Sequence, residues 1–192
     1  MGEPYLVPQA SYSRLVDPTG GRSLPQPLEM ICSAPDGDFV AHATKVHETG
    51  IPWDDPSGDH LRECLRVSRE AFYDPSSFAL VPMGFCYPGK AKSGDAPPRP
   101  ECAPQWHERV LDAMAPDPLL LLCGQYAQAH YLGASRKKSL TETVRSFADF
   151  GPRTIPLPHP SWRSRIWMKK NPWFEAKLLP VLRRRVKKRL QD

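Results

Sequence analysis

Leu119-Leu120-Leu121-Leu122-Cys123-Gly124-Gln125-Tyr126-Ala127-Gln128 is the stretch that decides the fold. Five apolar residues that end at a glycine and hand over to a helical pattern read as a buried strand whose carboxyl end meets an open helix N-terminus. Backbone N–H groups at such a terminus can meet anionic ligand atoms. About thirty residues later comes Leu157-Pro158-His159-Pro160-Ser161-Trp162-Arg163, in which a second short run, Thr154 to Leu157, empties into a histidine held between two prolines. An isolated His is most often a surface or hydrogen-bonded structural residue. The position of His159 at a strand end sets it apart from that default.

Working outward, Leu28 to Cys32 and Phe78 to Met83 read as two further short buried strands, with the third beginning at Pro118 and the fourth covering Thr154 to Leu157. Helical patterns fall between them. One opens at Ser57-Gly58-Asp59 and carries Leu61 and Leu65. Another runs from Ala103 to Met114 with Trp106, Val110, Leu111 and Met114 on one face, and others cover Tyr126 to Leu132 and Ser139 to Phe147. Ser139 with Glu142 three residues later is a capping-box pattern. A basic helix from Pro172 to Leu190 closes the chain, bent or interrupted at Pro180. Short apolar strands alternating with helices predict an α/β fold, a three-layer α/β/α arrangement with a central four-stranded parallel sheet. In such sheets the site lies at the carboxyl ends of the strands. Residues 1–27, rich in Pro, Gly and Ser without periodicity, read as an irregular arm, and residues 28–192 as one domain that includes the basic C-terminal helix.

A chain of 192 residues suits one well-buried domain. Its 23 prolines favour short elements and rigid loops. The net charge of +5 is unevenly placed: Arg163 to Asp192 holds eleven Lys or Arg against two acids, a net +9, which leaves −4 on the rest. A basic end on a mildly acidic body points to a phosphate backbone or another anionic surface, although a solvated amphipathic helix would look the same by charge alone. Five cysteines (Cys32, Cys64, Cys86, Cys102, Cys123), an odd number with no CxxC and no signal-like N-terminus, argue against a secreted disulfide framework and for a cytoplasmic protein. No apolar run approaches the eighteen or so residues of a membrane helix.

From about Leu28 to Arg189 these motifs, in this order, resemble the uracil-DNA glycosylase superfamily. Residues 121–128 resemble its "LLWGxxAQ" strand-to-helix turn, and Pro158 to Arg163 its "HPSP" loop. Gly50-Ile51-Pro52-Trp53, preceded by Glu48 and Thr49, resembles the "TGxPF" segment of the iron-sulfur branch. Cys86 to Cys102, with fifteen residues between, is similar to that branch's second cysteine pair, and Asn171-Pro172-Trp173-Phe174 resembles the tail of bacterial members. In pattern the chain is closest to the iron-sulfur branch, without its N-terminal cysteine pair.

The resemblance implies a monofunctional DNA glycosylase of base excision repair, which hydrolyses the N-glycosidic bond of uracil or another deaminated base after flipping it out of DNA. Bond cleavage builds negative charge on the leaving base and positive charge on the sugar, so a donor must face the base and something must stabilise or hydrate the sugar. Carried over by motif, His159 is that donor, Trp53 the face on which the base stacks, and Ser161 a grip on a phosphate. Ser33 and Ala34 line the substrate site. Trp162 and Arg163 are the wedge that fills the gap left by the flipped base, the single-strand-selective monofunctional branch also having Arg there. Arg165, Lys169, Lys170 and the basic helix beyond hold phosphates. DNA is the expected partner, with no membrane association, and the protein is expected to be a monomer.

Three departures qualify what is carried over. The first motif of the superfamily supplies an Asp, Glu or Asn, but Cys32-Ser33-Ala34-Pro35-Asp36 keeps only the Ala-Pro, so Asp36 and Glu48 become the candidates for orienting water, with Asp38 nearby. Counting back from Cys86 puts Pro82 where the iron-sulfur branch has its base-reading Asn. A proline lacks the paired donor and acceptor of an amide, which favours broader deaminated-base recognition, such as hypoxanthine, over strict uracil selection. With no first cysteine pair, Cys86 and Cys102 read as vestigial ligand positions; no metal and no cofactor is expected. The altered first motif leaves an alternative, a non-catalytic protein that binds damaged or single-stranded DNA on a glycosylase fold. A small-molecule nucleoside hydrolase fits less well, because a free nucleoside needs neither wedge nor basic tail.

Overall fold

A computed structural model describes residues 28–32, 51–84, 96–112, 114 and 117–191. Strands β1 (Leu28–Cys32), β2 (Phe78–Pro82), β3 (Leu120–Cys123) and β4 (Thr154–Leu157) lie in the order β2-β1-β3-β4, and each pairing is parallel. Parallel neighbours require crossovers. Helices α1 (Pro56–Leu65) and α2 (Arg69–Tyr73) fall between β1 and β2, and α3 (Cys102–Asp112) between β2 and β3. Helices α4 (Gln125–Leu132) and α5 (Leu140–Arg145) link β3 to β4, and α6 (Trp162–Lys170) and α7 (Leu179–Arg189) close the chain. The register pairs Cys32 with both Pro82 and Cys123, and Cys123 with Leu157, so the carboxyl ends of the strands finish level at one edge.

Alternate strand residues face opposite sides, and each side has its own cluster. Phe78, Leu121, Cys123, Ile155 and Leu157 pack with Leu61 and Leu65 of α1, Val144 of α5, Met168 of α6 and Leu182 and Val186 of α7. Ala79, Val81 and Leu122 pack with Ala103 of α3 and Ala127 of α4. Burial of a large aliphatic or aromatic side chain contributes about 1.5–3 kcal/mol, and Phe72, Leu121, Leu122, Ile155, Leu178 and Leu182 are fully enclosed. This apolar sandwiching lets strands of only four or five residues hold together.

Local signals account for several boundaries. Asp55 caps α1 by accepting from the Gly58 N–H at 2.8 Å, so the helix begins at Pro56, one residue before the expected opening at Ser57. The capping box is present: the Glu142 N–H donates to Ser139 Oγ at 3.2 Å while that hydroxyl donates back to Glu142 Oε2 at 2.9 Å.

The closing helix is interrupted next to Pro180, as expected: a π-helical turn at Phe174–Leu178 runs into α7, which has Pro180 in its first turn. Proline has no N–H to give and clashes with the carbonyl one turn back, and the wider π turn accommodates it. One expectation needs correction: Trp106, placed on one face with Val110, Leu111 and Met114, is 40% exposed under the Arg109 guanidinium, while those three pack against the core. Helix α6 was not expected as a helix of its own. The arm assigned to residues 1–27 lies outside the described residues.

Candidate active site

The four strand ends bring the odd-looking segments together. After β4, Leu157 and His159 each precede a proline, which drives both toward extended backbone. His159 is 8% exposed. Against it stands Trp53, from the turn before α1, with ring centroids 5.3 Å apart and planes inclined by 35°. The structure therefore joins two of the predicted site residues.

Trp53 is held in place from several directions. Its φ of 62° is the left-handed conformation, which a bulky side chain adopts only at a cost of order 1–3 kcal/mol when the surroundings over-determine it. The buried Arg62 donates to the Trp53 carbonyl at 3.3 Å and to the Tyr73 hydroxyl at 3.2 Å, and its guanidinium lies over the rings of Phe72 and Tyr73. The Tyr73 hydroxyl in turn donates to the Pro52 carbonyl at 2.9 Å. Sequence reading missed Arg62 because a charged residue in an amphipathic helix carries no sign that it is buried.

Ser161 is the N-cap of α6, yet its side chain makes no capping bond to that helix. The Ser164 hydroxyl donates to the Ser161 carbonyl at 2.6 Å and fixes the turn. Trp162 is 57% exposed, with the Arg163 guanidinium 5.5 Å from its ring centroid. Ile166 is also exposed and, four residues on, shares the helix face of Trp162. It was missed, though that spacing would have found it had α6 been expected. Lys169 and Lys170 sit exposed in the last turn of α6, about two helical turns from the His159 loop. Arg165 is exposed, 3.9 Å from the Glu63 carboxylate.

The C-terminal basic residues are not all available to phosphate. Arg183 donates to the Cys64 and Glu63 carbonyls at the end of α1. Arg185 donates to the Gly151 carbonyl, and Arg189 to that of Asp117, both of which precede β4 and β3. The Gly151 and Asp117 carbonyls lead into the amino ends of β4 and β3, opposite His159. The expectation that the whole basic helix serves DNA is corrected: part of its charge caps orphan carbonyls.

Pro82, where an amide reader was sought, ends β2 level with Cys32, and its carbonyl accepts from His107 Nε2 at 3.0 Å. His107 Nδ1 is then the acceptor for the Tyr131 hydroxyl at 2.5 Å. Burial holds the pKa of His107 below its ordinary value, so the ring stays neutral in this arrangement. Asp36, Asp38, Glu48, Ser33, Ala34 and Cys86 lie outside the described residues. Cys102 is a buried free thiol at the start of α3, and among the described residues no cluster of His, Cys, Asp or Glu has metal-binding geometry. No helix among them is long and apolar enough to cross a membrane. Residues 35–183 match a family model described as the Uracil DNA glycosylase superfamily.

Proposed function

The chain belongs to the uracil-DNA glycosylase superfamily, and from that premise we propose that it is a monofunctional glycosylase that hydrolyses the N-glycosidic bond of uracil or another deaminated base flipped out of DNA. The observation that carries this reading is the approach of Trp53 to His159 at the carboxyl edge of the sheet. A flat apolar face and a hydrogen-bonding ring side by side suit a planar base that stacks on one and leaves with electron density drawn toward the other. The architecture that goes with it is the three-layer α/β/α domain, residues 28–192, preceded by the arm of residues 1–27.

In the reaction, the bond between the sugar C1′ and the base nitrogen breaks and its electron pair leaves with the base. An N–H of His159 donates to the base oxygen on which that charge collects. Water adds to C1′ and loses a proton, and Asp36 or Glu48 takes the role of orienting that water and accepting the proton. Ser161 and the uncapped first turn of α6 meet a phosphate. Trp162 and Arg163 fill the gap left by the base, while Arg165, Lys169 and Lys170 flank the backbone. Pro82 offers no amide to the base edge, which favours a range of deaminated bases. We read the protein as a cytoplasmic monomer.

The test is excision from oligonucleotides that carry uracil, hypoxanthine or xanthine, scored as alkali-labile breaks. The wild-type chain should cut at least one, and the His159→Ala variant should lose the activity while still binding the same DNA. Absence of product on every substrate with binding retained would instead favour the non-catalytic DNA binder, which the altered first motif keeps in play.

A further inference from the structure

Gln128 on α4 is fully buried, and its side chain spans two strands. Nε2 donates to the Leu157 carbonyl at 2.8 Å and to the Leu122 carbonyl at 3.3 Å. The Leu157 carbonyl also accepts from the Gly124 N–H at 2.9 Å. Both donors therefore converge on the last residue of β4, two positions before His159. Two carbonyl oxygens beside Nε2 settle the orientation of the amide, since the reversed amide would set oxygen against oxygen. Its Oε1 is buried with no hydrogen-bond partner among the described residues. An apolar side chain of similar volume would avoid that cost, so what the amide contributes is the grip on Leu157.

We propose that Gln128 is a positioning residue for His159: by tying the Leu157 carbonyl to β3 and α4 it sets the direction in which the chain leaves β4. Pro158 has a fixed φ and passes that direction on, so the imidazole is aimed through the backbone. This rests on the reading of His159 as the group that faces the leaving base. A nucleobase donor needs alignment within a fraction of an ångström, and a displacement of about 1 Å can lower a rate on the order of a hundredfold.

Gln128→Met keeps the volume and removes both donations. Single-turnover excision should fall about tenfold to a hundredfold, while the dissociation constant for the same uncleaved DNA stays within about twofold and the nuclear Overhauser contact between the Trp53 and His159 rings weakens. A folded Gln128→Met protein with a wild-type rate overturns the proposal. So does a parallel loss of rate, DNA affinity and thermal midpoint, which would mark a general structural role. Should Gln128→Met not fold, Gln128→Asn, which keeps an amide one methylene too short to reach both carbonyls, is read in the same way. If the wild-type chain excises nothing, the reading of function fails by itself. The ring-to-ring contact then decides the role of Gln128 independently, and an unchanged contact in the variant overturns it.

Discussion

Gly58 and Trp53 are packed so closely that a Cβ on Gly58 would overlap the Trp53 carbonyl. Gly58 is helical, and a helical glycine exchanged for alanine ordinarily gains about 0.5–1 kcal/mol. Here the neighbour is backbone, itself held by Arg62 at 3.3 Å, and has no cheap way to yield. Gly58→Ala should therefore destabilise the protein by about 1–3 kcal/mol and move Trp53 off His159. Thermal denaturation with an excision assay checks both, and a stabilised, fully active variant would remove the close approach from the account.

Trp53→Ala should weaken capture of the base by about 1–3 kcal/mol, the value of one base–aromatic stack, and Trp53→Phe should keep most of it. The comparison is made in single-turnover excision. Normal turnover by Trp53→Ala would mean that the base stacks elsewhere.

Trp162 and Arg163 stand exposed in the first turn of α6. Arg163→Ala should lower action on duplex more than on single-stranded DNA, because only a duplex leaves a gap to fill. Ile166→Ser should share the bias if the apolar face of α6 enters the duplex. Equal losses on both substrates would count against a wedge.

Arg183 caps carbonyls at the end of α1, and Arg185 that of Gly151 before β4. Replacing either by Met should cost on the order of 1 kcal/mol of stability and leave the salt dependence of DNA binding unchanged. Arg163→Ala should reduce that slope by about one phosphate contact. A reduced slope in Arg185→Met would place DNA on the far side of the molecule as well.

His60 and His107 are both held below their ordinary pKa, chiefly by burial. A folded-state pKa below the unfolded value of about 6.5 means that the native chain binds fewer protons. Stability from these rings is complete above pH 6.5 or so and declines as the pH falls through their folded pKa values. The thermal midpoint should accordingly begin to drop below about pH 6.5, and His107→Gln should flatten part of the drop. A midpoint that stays level as the pH falls below about 6.5 would show that neither ring is buried neutral. Cys64, by contrast, has its thiol pushed up to about 11 by burial and should resist alkylation at neutral pH in the folded protein.

Much of the frame was legible because it is written in local pattern. The apolar runs at 78–82, 120–123 and 154–157, the glycine after Cys123 and the Ser139–Glu142 box depend on neighbours within a few residues. Trp106 was misread because periodicity puts it on the face of Val110, Leu111 and Met114, which pack on the core, but does not show how much of a large ring on that face stays uncovered. The basic tail was misread for a related reason. A count of arginines cannot tell a phosphate ligand from a cap on a carbonyl such as that of Cys64, 119 positions away in the chain.

By itself, then, the sequence determined the family, the class of fold and the candidates His159, Trp53 and Ser161, because short-range periodicity and motif spacing survive without coordinates. Only the tertiary structure decided that Trp53 reaches His159, that Gly58 and Arg62 hold it there, and that Gln128 grips the strand end before the histidine loop. Those contacts join segments far apart in the chain, and they exist only once the packing of helices against the sheet has excluded water and brought the segments within hydrogen-bonding and van der Waals range.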